Sequence, residues 1–373
     1  MKVSFYTSQR EFNEKRDEFN RAIQSVLEKG NFILGEQVAQ LENEIQHYTQ
    51  AKYAIGVASG TDALTIASDI LGFKDGKEVI TSPFTFLAST SCITKHKGRP
   101  VFVDIDEETF AIDASKIEEK VNQKTIGILP IHLFDQMADM DRIMAIAGKH
   151  QLRVLEDAAE AFGMRWKGKG SDYKHSGTIG DFGVFSFFPT KTLGGYGDGG
   201  MIITNDEELA RKAKSYRVHG ASKKYHYDYV GYNSRLDTLQ AAILLVKLKY
   251  IDDAISKREA IAKQYIETLR DCKNIRLPKA KGEQKQVYYV FNILAENRDE
   301  LAEHLAKNEI GYSIYYPRPL HLQACFRNLG YKQGDFPIAE RVANKIIALP
   351  IYPEMTIDEV EFICETIKSF YKN

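Results

Sequence analysis

Between about Lys52 and Asn205, short apolar, β-branched runs alternate with stretches in which apolar residues return every three or four positions. The runs are Tyr53 to Val57, Glu78 to Thr81, Pro100 to Asp104, Ile126 to Pro130, Leu152 to Glu156 and Val184 to Phe187; Asp62 to Leu71 and Met140 to His150 carry the helical spacing. That succession predicts βαβ units around a mostly parallel sheet, an α/β fold. Further on, Leu236, Leu239, Ile243, Val246 and Tyr250 repeat at helical spacing and predict one long amphipathic helix, from Arg235 through Asp252 toward Arg270, linking two domains. Beyond about Asn274, strand-like runs (Val287 to Leu294, Tyr312 to Tyr316) and helical ones (Asp299 to Lys307, Ile338 to Ala348, Thr356 to Tyr371) predict a smaller α+β domain. The expected division gives residues 1–250 to the large domain and 251–373 to the small one.

A length of 373 residues suits two domains at roughly 150 residues each, and no fixed-period repeat or Pro-rich linker divides the chain. Hydrophobic residues at 43% and charged residues at 27% are those of an ordinary folded protein, which excludes disorder and coiled coil. Lys plus Arg (50) and Asp plus Glu (51) nearly cancel, so no global field draws the chain to nucleic acid or an anionic membrane. Any anion must be held by a local site. The four cysteines form no CxxC and have no His at zinc-ligand spacing, so free thiols in a reducing cytoplasm are expected, with no metal. The first ten residues lack the apolar core of a signal peptide, and no run of about 18 apolar residues occurs; a soluble cytoplasmic protein is expected.

In parallel sheets, ligands gather beyond the carboxyl ends of the strands, and those ends carry Ser59-Gly60-Thr61, Ser82 to Phe86, Asp157 and Ser186. Ser59 to Leu64 follows a strand and opens a helix, so free backbone N–H groups and a helix dipole suit a phosphate there; an ordinary N-cap made by Ser59 or Thr61 would use the same residues. Gly195-Tyr-Gly197-Asp-Gly199-Gly200 formally matches GxGxxG, but a β-like run, Met201 to Thr204, follows it instead of a helix, which excludes a Rossmann reading. A glycine turn that lets the backbone approach a ligand or a neighbouring subunit remains, beside a purely structural turn. Lys191 lies between Phe185-Ser-Phe-Phe-Pro and Leu193-Gly-Gly-Tyr-Gly; beside the ordinary reading of a solvated surface lysine, so apolar a setting is expected to lower its pKa and make it a nucleophile toward carbonyls. Asp157, at a strand end, needs a cation, a metal or a hydrogen-bond donor. Asp139 and Asp141 read as helix-start residues, which leaves Asp135 without metal-binding company. Arg217 to Tyr229 mixes bases with aromatics; neutral net charge argues against nucleic acid, and a loop reaching a partner subunit is expected over a plain exposed loop.

A phosphate cradle, an aromatic at a strand end (Phe86), Asp157, Ser186 and Lys191, in this order, are the parts of a pyridoxal phosphate site. The sequence resembles the DegT/DnrJ/EryC1/StrS family of nucleotide-sugar aminotransferases over nearly its whole length. The likeness runs through Ser59 to Leu64, Pro100 to Asp104, His132 to Asp141, Glu156 to Ala159, Ser186 to Lys191, Gly197 to Gly200 and Asn233 to Ala242. It implies a fold-type-I architecture: a large, mostly parallel seven-stranded αβα domain and a smaller C-terminal α+β domain. It further implies that Lys191 forms the Schiff base with pyridoxal 5'-phosphate and later shuttles a proton, while Asp157 pairs with the pyridinium nitrogen. Phe86 would stack on the ring, Gly60, Thr61 and Ser186 would hold the phosphate, and Glu160 would lie near the phenolic oxygen.

Asn233 matches the family residue that reaches the phosphate from the other subunit, which implies a homodimer with shared sites. The implied substrates are L-glutamate and a keto group on a nucleotide-linked sugar, contacted by Arg235, Tyr316 and His321. The stretch from Ser186 to Gly200 looks most like members acting on UDP-linked N-acetylated 3-keto or 4-keto sugars in surface polysaccharide or amino-sugar biosynthesis. A dTDP-linked keto-sugar aminotransferase and a non-catalytic regulatory protein on the same scaffold are the alternatives. The family's dehydratase branch has His in place of the lysine. Two departures stand out. Glu160 occupies a position where many relatives have Gln or His, so that a second carboxylate beside Asp157 either raises one pKa of the pair or faces water. Asp135 stands where Gly is common, so that loop's backbone is expected to differ.

Overall fold

Seven strands build the central sheet of the computed structural model, which describes residues 1–170, 172–279 and 282–372. They are β1 (Tyr53–Val57), β2 (Glu78–Thr81), β3 (Arg99–Phe102), β4 (Thr125–Leu129), β5 (Arg153–Asp157), β6 (Phe182–Ser186) and β7 (Gly200–Thr204). Their order in space is β1-β7-β6-β5-β4-β2-β3. The pairs from β3 to β6 are parallel, whereas β7 runs against both of its neighbours, β1 and β6. Burial is continuous along most of β1, β5 and β6, as expected of strands covered on both faces, and this is why they read as unbroken apolar runs. Helices at Gly60–Ile70, Met140–His150 and Glu207–Tyr216 pack on the sheet. Each is started by a side-chain cap: Ser59 Oγ accepts from Asp62 N–H (3.1 Å), Asp139 Oδ1 from Arg142 N–H (3.1 Å) and Asp206 Oδ1 from Leu209 N–H (2.9 Å).

A second antiparallel sheet follows, with β9 (Phe291–Ala295) between β8 (Ile275–Arg276) and β10 (Ile346–Leu349). Its core contains Tyr265, Phe291, Ile293, Leu301, Ile347 and Ile363, joined by Val3 from the N-terminus. The chain between these strands also returns to the large core: Phe326 and Phe336 meet Phe102 edge to face, and Ala339 and Val342 are buried with them. Among the described residues no helix is long and apolar enough to cross a membrane.

Three predicted elements differ. The single helix expected from Arg235 toward Arg270 is two helices, Thr238–Leu248 and Ile251–Leu269, interrupted at Lys249 and Tyr250. The halves serve different partners, since Ile243 and Val246 pack on Phe19 while Ile261, Tyr265 and Leu269 enter the second core. Tyr250 leaves helical geometry at φ −110°, ψ 9°. The expected strand at Tyr312 to Tyr316 makes only one bridge, Ser313 to Ala348, because its residues turn toward a cavity described below. The helix expected from Ile338 to Ala348 is Pro337–Lys345, after which the chain becomes β10; periodicity does not separate a buried helix end from a buried strand.

One buried carboxylate locks the loops around β5. Glu156, with no exposed surface, accepts from His132 Nε2 (2.8 Å) and from the N–H groups of Gly177 (3.0 Å), Ile179 (2.7 Å) and Gly180 (2.6 Å). His132 Nδ1 accepts from Ala138 N–H (3.2 Å), so the ring donates through Nε2 as a neutral imidazole. Glu156→Ala would strand these donors in the core. It is expected to destabilise the protein by about 3–5 kcal/mol in urea unfolding; a loss under about 1 kcal/mol would contradict this reading.

Candidate active site

The carboxyl ends of β1, β5 and β6 open into a cavity of about 630 Å³. On its lining, the Ser59 cap turns the chain into the Gly60–Ile70 helix, whose first-turn N–H groups at Gly60 and Thr61 have no acceptor within the helix. A Cβ on Gly60 would lie 2.7 Å from Ser186 Cβ and 3.1 Å from its Oγ, so only glycine lets the helix start and the end of β6 approach this closely. Gly200 plays the matching part at the head of β7, where a Cβ would fall 2.4 Å from the Ser59 carbonyl. The glycine-rich stretch is therefore a close-approach turn, and its Tyr196 N–H is fixed on Gln240 Oε1 at 2.9 Å.

Asp157, the last residue of β5, is 4% exposed. Its Oδ2 accepts from Ser89 Oγ (2.7 Å) and its Oδ1 from Ala159 N–H (3.1 Å). Burial raises its pKa, and these two bonds only partly oppose that shift. A cation placed over it would relieve the penalty of a buried negative charge.

Lys191 Nζ lies 3.2 Å from Glu160 Oε1 and 4.3 Å from the centre of the Tyr289 ring. Burial alone would lower its pKa, but Glu160 and Tyr289 outweigh it and hold the ammonium above its ordinary value. This corrects the expectation of a lowered pKa. The apolar flanks in the sequence show the burial but not the two partners, which come from distant segments. Glu160 thus faces the lysine. Its Oε1 also accepts from Tyr316 OH (3.4 Å), whose own pKa burial pushes far up.

Gly60, Thr61, Phe86, Asp157, Glu160, Ser186, Lys191 and Tyr316 all line this one cavity, with the Phe86 ring 58% exposed at its wall. Asn233, exposed, and Arg235, half-buried, lie outside it. His321 is also outside: it is buried, with Nε2 on Glu340 Oε1 at 3.0 Å and its ring edge-on to Phe336. Sequence reasoning missed Ser89, Tyr289 and Tyr315. Ser89 had a signal, a hydroxyl one turn beyond the polar end of β2, while Tyr289 was absorbed into an apolar run. Asp135 adopts φ +64°, after Phe134 at +51°, so it occupies the left-handed geometry that glycine favours. Among the described residues no group of His, Cys, Asp and Glu is arranged to hold a metal.

Residues 13–368 match the DegT/DnrJ/EryC1/StrS aminotransferase family. A pleiotropic regulatory protein of Geobacillus stearothermophilus is 43% identical, covering 100% of both chains. The UDP-N-acetyl-3-dehydro-alpha-D-glucosamine 3-aminotransferase of Acidithiobacillus ferrooxidans is 39% identical over 96% of this chain and 95% of its own. Other relatives are dTDP-linked sugar transaminases. The crystal structure of S. venezuelae DesV with a ketimine intermediate superposes with a TM-score of 0.96 at 34% identity, covering 100% of this chain and 99% of that one. NtdA of Bacillus subtilis was solved with bound cofactor PMP.

The glycine cradle, the buried acid and the cavity lysine fit pyridoxal phosphate, which needs a phosphate seat, a partner for its ring nitrogen and an amine for its aldehyde. Gly60→Ala is expected to weaken retention of the cofactor by roughly ten-fold, because its methyl collides with Ser186. Absorbance titration of cofactor-free protein measures this, and an unchanged affinity would remove Gly60 from the phosphate seat.

Proposed function

Because the chain belongs to the DegT/DnrJ/EryC1/StrS aminotransferase family, we propose that it transfers an amino group from L-glutamate to the C3 or C4 keto group of a UDP-linked N-acetylated sugar. It is a pyridoxal phosphate-dependent sugar aminotransferase. The observation that carries the reading is that Lys191, Asp157 and the Ser59-Gly60-Thr61 helix start all line one cavity. The UDP assignment is supported by relatives named for UDP-linked 3-keto substrates. A dTDP-linked substrate is the second reading, favoured by relatives at comparable identity.

When bound, the cofactor supplies an electron sink next to the amine-bearing carbon. In our reading, Asp157 would keep the ring nitrogen protonated, since its buried charge would gain from a cationic N–H partner. Ser89 and Ala159 N–H aim that carboxylate. Gly60, Thr61 and Ser186 would hold the phosphate, and Phe86 would pack against the ring. Lys191 Nζ carries the proton between the reacting carbons, and Glu160, at 3.2 Å, holds it in the ammonium form between transfers. Tyr316 stays in the role of a sugar contact, because it lines the cavity; Arg235 and His321 lie outside it.

The reading extends to a homodimer in the cytoplasm, serving surface polysaccharide or amino-sugar synthesis. Phe86 and Phe188 (50% exposed) at the cavity, and Tyr225 and Val230 (76% and 94% exposed) on the 217–231 loop, are exposed apolar surface that supports a second copy covering it. Asn233, exposed and outside its own cavity, suits a role in that copy's site. The regulatory name of one relative does not favour a purely regulatory role here, since Lys191 and Asp157 are both in place.

UDP- and dTDP-linked 3-keto and 4-keto sugars, each incubated with glutamate, test the assignment. The expected result is 2-oxoglutarate with a UDP-linked sugar, abolished in Lys191→Ala. Turnover of free keto acids with indifference to every nucleotide sugar would overturn the sugar assignment.

A further inference from the structure

Of the two groups that hold the Lys191 ammonium, one comes from a segment about a hundred residues further along the chain. Tyr289 lies two residues before β9, 7% exposed, with its ring under Nζ and its OH on Thr190 Oγ1 at 3.2 Å. What places Tyr289 is not its own strand alone. Its backbone N–H donates to Asp135 Oδ1 at 3.1 Å, and Asp135 sits on the loop after β4, 3% exposed. The loop is fixed there by Gln286 Nε2, which donates to the Asp135 carbonyl at 3.0 Å. A buried carboxylate in a left-handed conformation, with Oδ2 lacking any hydrogen-bond partner, is an expensive arrangement for a loop to keep. Its Oδ1 joins the loop to the backbone of Tyr289, and the nearby Val287 backbone also favours the carboxylate.

We propose that Asp135 is a positioning residue that acts through the backbone of Tyr289 to hold the Tyr289 ring against the Lys191 ammonium, fixing the point to which that ammonium returns whenever the lysine is free. This rests on Lys191 being the cofactor's lysine and assigns the reaction a residue outside the cavity lining. The bond to Tyr289 needs an acceptor, not a charge. Burial and Glu160 push the Asp135 carboxyl up to about 7, against the Tyr289 N–H and the Arg258 guanidinium; Tyr288 also faces it. A neutral carbonyl oxygen in the same place therefore serves equally well.

The test is trace labelling of the cofactor-free protein with acetic anhydride across pH, read by peptide mass spectrometry as Lys191 against exposed Lys263. Asp135→Gly suits the backbone at φ +64° and removes only the acceptor. Asp135→Gly and Tyr289→Leu are each expected to raise Lys191 labelling at a fixed pH by about five-fold, through a lowered lysine pKa. Asp135→Asn is expected to stay within two-fold of the parent, because its amide oxygen still accepts from Tyr289. If Asp135→Gly lowers the melting temperature but leaves Lys191 labelling at the parent's level, Asp135 is merely structural and the proposal fails. It fails equally if Asp135→Asn behaves like Asp135→Gly. Cofactor binding is followed separately by absorbance, so a protein that ignores the cofactor yet shows this labelling pattern would overturn the proposed function and not the positioning role.

Discussion

A carboxylate removed from water must find partners, and β5 ends in two of them with opposite solutions. Glu156 and Asp157 are consecutive, so the pleat turns them to opposite faces of the sheet. Glu156 points into the core and has every donor it needs, from His132 and three backbone N–H groups. Asp157 points to the cavity and is held by one hydroxyl and one N–H, which leaves room for a cation. The first carboxylate makes the second possible. By tying the loop after β4 and the turn before β6 to β5, Glu156 fixes the walls between which Asp157 stays dry.

The lysine obeys a different balance. Desolvation disfavours its charge, yet a carboxylate at 3.2 Å and an aromatic face at 4.3 Å more than restore it. The amine is therefore held as an ammonium by these two partners. Glu160, where the sequence departs from many relatives, is thus the carboxylate that sets the charge of this lysine.

The central sheet was legible because strands buried on both faces carry unbroken apolar runs, and six expected runs fall within a few residues of β1 to β6. The residues at the carboxyl ends of those runs, Ser59, Ser82 to Phe86, Asp157 and Ser186, were legible as a site for the same reason. Tyr289 was not, because a tyrosine beside a strand looks like packing until the fold brings it across to Lys191. Tyr312 to Tyr316 has the composition of a strand and the position of a cavity wall; composition cannot report the second. The break at Tyr250 was hidden because both helices keep helical spacing, and only the change of packing partner requires two axes.

That junction has a mechanical meaning. Tyr250 is pinned by its OH to Glu18 Oε1 at 2.5 Å, and the helices on either side each present an apolar stripe to a different core. One residue inserted or deleted there would rotate the second stripe by about 100° relative to the first. Such a joint forgives changes in what its residues are, but not in how many there are, and the phase between the two cores is stored in chain length.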